Sequence, residues 1–152
     1  MNRLLITFGG TDPSRETLKV LRAISKDSTL FSEVVVVIGA GNSDRNEIEK
    51  LATHLPNVQT LFNTTQMPEL LASADFAIMA GGTTTWERCC LGVPAIVISA
   101  AENQKELALA LSAGSFQVYL GPSDPDLLIH FSENKDIFKV SRQSRLDSVA
   151  VS

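Results

Sequence analysis

The chain has 152 residues, of which 44% are hydrophobic and 20% are charged, and its formal net charge is −4. This length and apolar content suffice for one globular domain with a core, and they exclude a disordered or fibrous chain. The acidic excess argues against a basic surface for nucleic acid or an anionic membrane. We therefore expect a single domain over residues 1–152 with no nucleic-acid partner.

The sequence carries no signal for membrane insertion or secretion. No apolar run approaches the roughly 20 residues of a membrane span, and the opening run at residues 4–8 is too short for a signal peptide. Cys89 and Cys90 are neighbours in a predicted helix, where a disulfide between them would be strained, so we expect packing thiols in a reducing compartment. These features predict a cytoplasmic protein.

Short β-branched runs alternate with helical patterns along the chain. Uniformly apolar runs predict strands covered on both faces, and their alternation with helices predicts a parallel sheet of βαβ units. The predicted strands are residues 4–8, 34–38, 58–62, 76–80, 95–98 and 117–120. The predicted helices are residues 14–24, 44–54, 67–73, 84–91 and 103–113, followed by a weak pattern at 125–131 and a polar segment at 132–152 expected to form a terminal helix or a frayed tail.

Two glycine loops are the most informative feature of the sequence. Gly-Gly-Thr at residues 9–11 follows the first predicted strand, and the same three letters at 81–83 follow the fourth. In a doubly wound sheet of about six strands in the order 3-2-1-4-5-6, both loops open onto one crevice, where ligands bind. Glycine lets backbone amides approach a ligand, and two helix N-termini add partial positive charge, which favours a diphosphate. Ordinary turn chemistry is the alternative for each loop.

Two common nucleotide motifs are absent from these loops. Neither loop carries the dinucleotide fingerprint G-x-G-x-x-G or the P-loop motif, and Gly39 and Gly41 follow the second predicted strand rather than the first. Nicotinamide, flavin and triphosphate ligands are therefore disfavoured. We expect no cofactor and no metal, and we expect a nucleotide diphosphate as the ligand.

Several residues near the predicted crevice have two interpretations each. Glu87 could accept ribose hydroxyls, or it could complete a capping box at its own helix end. Asn103 and Gln104 suit sugar hydroxyls, although Asn103 could instead cap the following helix. Phe62 and Asn63 end the third predicted strand and could offer an aromatic wall and backbone groups to a base, although Phe62 could belong to the core.

The sequence offers no convincing catalytic residue. His54 and His130 lie away from the predicted loops, so we expect both to be structural. Asp12 and Glu102 are the remaining candidates for a general base, but Asp12 precedes a proline and is expected to be a helix N-cap.

Four segments carry a resemblance to a known family: residues 4–13, 80–87, 91–94 and 102–104. Together they resemble the C-terminal half of a nucleotide-sugar enzyme family, the UDP-sugar hydrolase of pseudaminic acid biosynthesis with its spore-coat polysaccharide relatives. More distantly, the chain resembles the C-terminal domain of the peptidoglycan N-acetylglucosaminyltransferase, a GT-B protein.

The resemblance implies a UDP-binding half with a Rossmann-like GT-B fold. It implies that Glu87 holds the ribose and that the backbone of Phe62 and Asn63 flanks the uracil. It also implies that the glycine loops take the diphosphate and that Asn103 and Gln104 reach the sugar. The complete set implied for UDP or a UDP-sugar is Gly9, Gly10, Thr11, Phe62, Asn63, Gly82, Thr83, Thr84, Glu87, Asn103 and Gln104.

The family has its catalytic histidine in an N-terminal half that this sequence lacks. We therefore expect turnover only with that half, in cis or in trans, and the start at Met1 directly before a strand suggests an excised domain or a naturally split protein. The main expectation is the UDP-binding half of a hydrolase for surface polysaccharide or sialic-acid-like sugars. The alternatives are a GT-B glycosyltransferase half and a non-catalytic nucleotide-binding module.

Overall fold

The computed structural model describes residues 3–26, 31–80, 93, 95–99 and 117–122. The predicted helices at 84–91 and 103–113, and the segments at 125–131 and 132–152, lie outside these residues. The elements in chain order are β1 (Arg3–Thr7), α1 (Glu16–Ser25), β2 (Glu33–Ile38), α2 (Arg45–Ala52), β3 (Val58–Phe62), α3 (Met67–Ser73), β4 (Phe76–Ala80), β5 (Ala95–Ser99) and β6 (Gln117–Pro122).

The strands form a parallel sheet. β1 pairs with both β2 and β4, β2 also pairs with β3, and β5 and β6 continue the pairing beyond β4, which gives the order β3-β2-β1-β4-β5-β6. The predicted parallel α/β sheet is therefore confirmed. Thr7 is the register partner of Met79, so the chain leaves β1 and β4 at nearly the same height. Both departures lie at the carboxyl edge, where α/β sheets bind ligands.

Successive strand residues enter two separate apolar clusters because their side chains alternate between the faces of the sheet. Ile6 and Val36 pack on one face with residues of α1 and α2, whereas Leu5 and Val35 pack on the other with residues of α3. All four of these residues are buried. The described part of the fold is thus wound on both faces of the sheet, with α1 and α2 opposite α3.

The predicted element boundaries agree closely with the structure at β3, α3 and β4. By contrast, α1 begins at Glu16 rather than at residue 14, and α2 ends at Ala52 rather than at residue 54. Within the residues that the structure describes, no helix has the length and apolar content needed to cross a membrane.

Replacing Ile48 with alanine tests how α2 is anchored. Ile48 is completely buried and lies in the cluster shared by α1 and α2, so Ile48→Ala should lower the free energy of unfolding by about 2–5 kcal/mol through lost burial and a cavity. Urea denaturation measures this loss. Lys50→Ala, at an exposed position of the same helix, is the control and should change stability by no more than about 0.5 kcal/mol. Equal effects of the two substitutions would contradict this anchoring.

Candidate functional site

The first candidate feature is the loop that follows β1 at the carboxyl edge. Gly9 has a φ of 79°, a left-handed conformation that side chains rarely adopt, and both Gly9 and Gly10 are exposed. Among the described residues, the backbone N–H groups of Gly10 and Thr11 have no hydrogen-bond acceptor. The loop therefore presents unoccupied amide donors on an exposed backbone, next to the end of β4.

A second glycine turn, after β2, packs directly on this loop. The Gly41 amide donates to the Gly10 carbonyl oxygen at 2.9 Å. A Cβ atom at Gly39 would lie 2.5 Å from Gly10 Cα, which is closer than real Cβ contacts allow. Only glycine fits at position 39, and its backbone sets where Gly10 lies. The sequence signal for this contact is the pair of glycines after the neighbouring strand, which does not match the dinucleotide fingerprint.

Asp12 shapes the other end of the loop. Its side chain is buried, and its carboxylate accepts the backbone amides of Glu16 at 2.9 Å and Thr17 at 2.8 Å. Its carbonyl accepts the Arg15 amide at 3.0 Å, and its own φ is 45°. The capping role predicted for Asp12 is therefore present, but the N-cap position is Arg15, which has no side-chain capping bond.

This capping corrects one expectation about the crevice. Two α1 helix N-terminal amides, those of Glu16 and Thr17, are already satisfied by a carboxylate, which also compensates the positive end of the helix dipole. The α1 N-terminus is therefore not an unoccupied phosphate site. Asp12 is a structural acceptor here, and the amides of Gly10 and Thr11 are among the loop donors for which the described residues supply no acceptor.

A chain of largely exposed ion pairs joins α1 to the start of α2. Arg15 Nε contacts Asp44 Oδ2 at 3.0 Å, and its Nη2 contacts Glu47 Oε2 at 2.8 Å. Arg22 Nη2 contacts the other Glu47 oxygen at 2.6 Å. The hydrogen bond that Arg15 donates to Asp44, together with the negative charge of that carboxylate, raises the pKa of the Arg15 guanidinium above its ordinary value. These pairs link α1 to α2 on the outside of the two glycine loops.

The end of β3 carries the predicted base-binding residues. Phe62 is 40% exposed, so the core interpretation of this residue is wrong. The Arg45 guanidinium carbon lies 3.5 Å from the centre of the Phe62 ring. Asn63 has a φ of 49° and donates its amide to the Ile38 carbonyl at 2.8 Å, so that amide is already occupied. The Asn63 carbonyl oxygen is therefore the backbone group of this residue that is left for contact with a ligand.

Of the other residues considered in the sequence, His54 has a described position, and the rest lie outside the described part of the chain. His54 is exposed just after α2, which runs from the carboxyl edge of the sheet to the opposite edge, as expected for a residue outside the site. Within the described ranges, no group of three or more His, Cys, Asp or Glu side chains could hold a metal ion. The residues outside the described part are Gly82, Thr83, Thr84, Glu87, Cys89, Cys90, Glu102, Asn103, Gln104 and His130.

Comparison with protein families matches residues 4–118 to the glycosyltransferase family 28 C-terminal domain. The spore coat polysaccharide biosynthesis protein SpsG of Bacillus subtilis is 29% identical over 126 residues, which cover 81% of this chain and 37% of that protein. The UDP-N-acetylglucosamine–N-acetylmuramyl-(pentapeptide) pyrophosphoryl-undecaprenol N-acetylglucosamine transferase of Carboxydothermus hydrogenoformans is 32% identical over 108 residues, which cover 68% of this chain and 29% of that protein. The chain therefore spans well under half of these relatives.

Two solved structures show a similar fold. Glycosyltransferase SsfS6 of Streptomyces sp. SF2575, complexed with thymidine diphosphate, has a TM-score of 0.60 at 23% identity and is matched over 95% of this chain and 35% of its own. UDP-GlcNAc 2-epimerase of Neisseria meningitidis, bound to UDP-GlcNAc, has a TM-score of 0.66 at 21% identity, over 95% of this chain and 38% of its own. At these identities, the likeness shows a GT-B-like parallel α/β fold.

Substitution of Asp12 tests its role in ordering the loop. Asp12→Ala should lower the free energy of unfolding by about 2 kcal/mol, because it removes both capping bonds and places alanine at a positive φ. Asp12→Asn should lower the free energy of unfolding by less than Asp12→Ala does, because asparagine tolerates this conformation and keeps one acceptor oxygen. Urea denaturation gives both values.

Asp44→Ala is the matched control for the Asp12 variants. Asp44 precedes α2 at the N-cap position but makes no side-chain capping bond, and its partner Arg15 is half exposed. We expect a smaller loss for Asp44→Ala than for Asp12→Ala. The reverse order would show that the ion pair, rather than the cap, orders this region.

Gly39→Ala tests the contact between the two glycine loops. The new methyl group would collide with the Gly10 backbone, so the free energy of unfolding should fall by about 1–3 kcal/mol, and the amide NMR signals of Gly9 and Gly10 should move. Gly41→Ala is the milder comparison, because its Cβ would lie 3.0 Å from Thr11 Cγ2 and 3.2 Å from the Gly10 carbonyl oxygen, whereas the Cβ of Gly39→Ala would lie 2.5 Å from Gly10 Cα. If Gly41→Ala shifts the Gly10 signal as much as Gly39→Ala does, the proposed contact does not control the loop.

Proposed function

Because the chain belongs to the glycosyltransferase family 28 C-terminal domain family, we propose that it is the nucleotide-sugar-binding half of a glycosyltransferase. The family match over residues 4–118 carries this proposal. The similarity to a peptidoglycan N-acetylglucosaminyltransferase, and the nucleotide diphosphate or UDP-sugar in solved structures of similar fold, support it. The proposed ligand is UDP or a UDP-sugar.

The diphosphate is proposed to bind where β1 and β4 end side by side. The open amides of Gly10 and Thr11 are suitable donors to phosphate oxygens, and Gly82, Thr83 and Thr84 follow β4 in the sequence. Backbone N–H groups bind anions without a basic side chain, which agrees with the acidic composition of the chain. Since Asp12 accepts two of the α1 amides, we propose that the helix predicted after β4 contributes the free N-terminus at this site.

The rest of the ligand is assigned by the family resemblance and by the edge geometry. Glu87 is proposed to accept the ribose hydroxyls, and Asn103 with Gln104 to contact the sugar. Phe62 and the Asn63 carbonyl are proposed to border the base. β3 lies two strands from β1, or about 10 Å, a separation that a nucleoside diphosphate spans.

The proposed chemistry is transfer of the sugar from UDP to an acceptor hydroxyl. The bond between the anomeric carbon and the diphosphate oxygen breaks as the acceptor oxygen attacks, and negative charge grows on the departing UDP. Fixed amide donors at the glycine loops stabilise that charge. The acceptor site, and the group that takes the acceptor proton, are proposed to belong to an N-terminal half of the enzyme, in cis or in trans.

The transferase alternative has better support than the hydrolase expectation. The matched family and one of the similar proteins are glycosyltransferases, and SpsG is named for polysaccharide biosynthesis, whereas no comparison names a hydrolase among the proteins reported above. We also propose that residues 1–152 form one domain built on the six-stranded parallel sheet.

Isothermal titration calorimetry with UDP and ADP tests the proposed ligand. UDP should bind, and Glu87→Ala should weaken UDP binding by about 10-fold or more, because hydrogen bonds from the ribose to a charged carboxylate are lost. Glu69→Ala is the control, since Glu69 is an exposed glutamate in the first turn of α3. Its UDP affinity should equal that of the unmodified chain.

Two outcomes would remove this proposal. One is the absence of a UDP signal at millimolar concentration. The other is ADP binding as tight as UDP binding, together with no effect of Glu87→Ala, which would point instead to a nucleotide-binding module of a different kind.

A further inference from the structure

Arg45 and Phe62 form an exposed stacked pair at the carboxyl edge of β3. Phe62 is the last residue of that strand, and among the described residues it is the large hydrophobic side chain that stays exposed, at 40%. The guanidinium carbon of Arg45 lies 3.5 Å from the ring centre, which is contact distance for a cation–π stack. The pair therefore exists before any ligand arrives.

The guanidinium is fixed by a second contact as well. Arg45 Nε donates to Glu49 Oε1 at 3.0 Å, one turn further along α2. The Nη1 and Nη2 groups of Arg45 have no partner within the described part of the chain, and the side chain is 44% exposed. A planar group held by a ring and by a carboxylate thus keeps its terminal N–H donors available in a fixed orientation.

The start of α2 is also tied to the glycine loop after β1. The Asp44 amide donates to Asn42 Oδ1 at 2.8 Å, and the Asp44 carboxylate pairs with Arg15. The Gly41 amide, in the same turn, donates to the Gly10 carbonyl oxygen. The position of Arg45 is therefore linked through one short turn to the loop proposed to take the diphosphate.

We propose that Arg45 is a specificity-determining residue that selects a uracil-type base. The inference rests on the proposed nucleotide site and deepens it. A base placed at the edge of the Phe62 ring presents carbonyl oxygens if it is uracil, and the terminal Arg45 N–H groups donate to them. Adenine carries an amino donor where uracil has a carbonyl, so it gains less from the same guanidinium.

The alternative role for Arg45 is a general attraction for phosphate. In that case the charge alone matters, and lysine replaces arginine without changing which base is preferred. Selection of the base instead needs the planar guanidinium stacked on the Phe62 ring, which the ammonium group of lysine does not reproduce. The conservative substitution therefore separates the two roles.

The test measures dissociation constants for UDP and ADP by calorimetry on the full chain and on Arg45→Lys. We expect UDP binding to weaken by about 10-fold and ADP binding to stay within about twofold, so the preference for UDP falls by about the same factor. Phe62→Leu, which removes the ring and keeps an apolar side chain, should lower the preference similarly. The effects of the two substitutions should not add in the double variant, because the residues act as one unit.

Arg22→Lys is the matched control. Arg22 is an arginine of α1 that is exposed to a similar extent and pairs with Glu47, and its replacement should leave both dissociation constants unchanged. Urea denaturation of each variant confirms that it is folded under the conditions of the titration.

The outcomes separate this inference from the proposed function. If the unmodified chain does not bind UDP, the proposed function fails. If it prefers UDP and Arg45→Lys retains the full preference, the base-selecting role of Arg45 fails alone. Equal weakening of UDP and ADP binding by Arg45→Lys also overturns that role, since it assigns the residue to phosphate attraction or to the fold.

Discussion

Close backbone contact between two glycine turns is the constraint on which the candidate site depends. Gly39 lies so near Gly10 that a single methyl group cannot be accommodated, and the Gly41 amide completes the contact by donating to the Gly10 carbonyl. Backbone has no rotamers with which to relieve such a collision, so the relative position of the turns is fixed within narrow limits. The parallel pairing of β1 with β2 brings the turns to the same edge, and the glycines allow them to meet.

The capping of α1 changes how positive potential is distributed along this edge. Asp12 is buried and satisfies two α1 amides, so this helix is stabilised internally and adds little to the attraction of an anion. The amides of Gly10 and Thr11 lie upstream of Asp12 and remain open among the described residues. The Asp12 carboxylate is thus compatible with a loop proposed to bind an anion, because its negative charge is compensated by the N-terminal amides of α1.

The sheet could be read from the sequence because its signals are local. Apolar runs and helical spacing located β3, α3 and β4 with their observed boundaries, and the two Gly-Gly-Thr loops indicated which edge of the sheet to examine. The sequence predicts a start of α1 that is too early, because Asp12 and Arg15 adopt positive φ values that residue preferences do not anticipate.

Contacts between distant residues left no comparable signal. The stack of Arg45 on Phe62 and the packing of Gly39 on Gly10 join residues that lie far apart along the chain, and a single sequence contains no pattern that pairs them. The residues proposed on the other side of the crevice, such as Glu87, come from the family resemblance, and they stay predictions.

The ion pairs between α1 and α2 respond to the surroundings differently from the glycine contact. Arg15, Asp44, Glu47 and Arg22 form a largely exposed chain of charges, and dissolved ions weaken such attraction over a Debye length of about 8 Å at physiological ionic strength. Steric exclusion between backbones has no such dependence. Rising salt concentration therefore weakens the ion pairs between α1 and α2, whereas the contact between the Gly39 and Gly10 backbones persists. The edge of the sheet consequently keeps its shape in salt concentrations that disrupt its surface ion pairs.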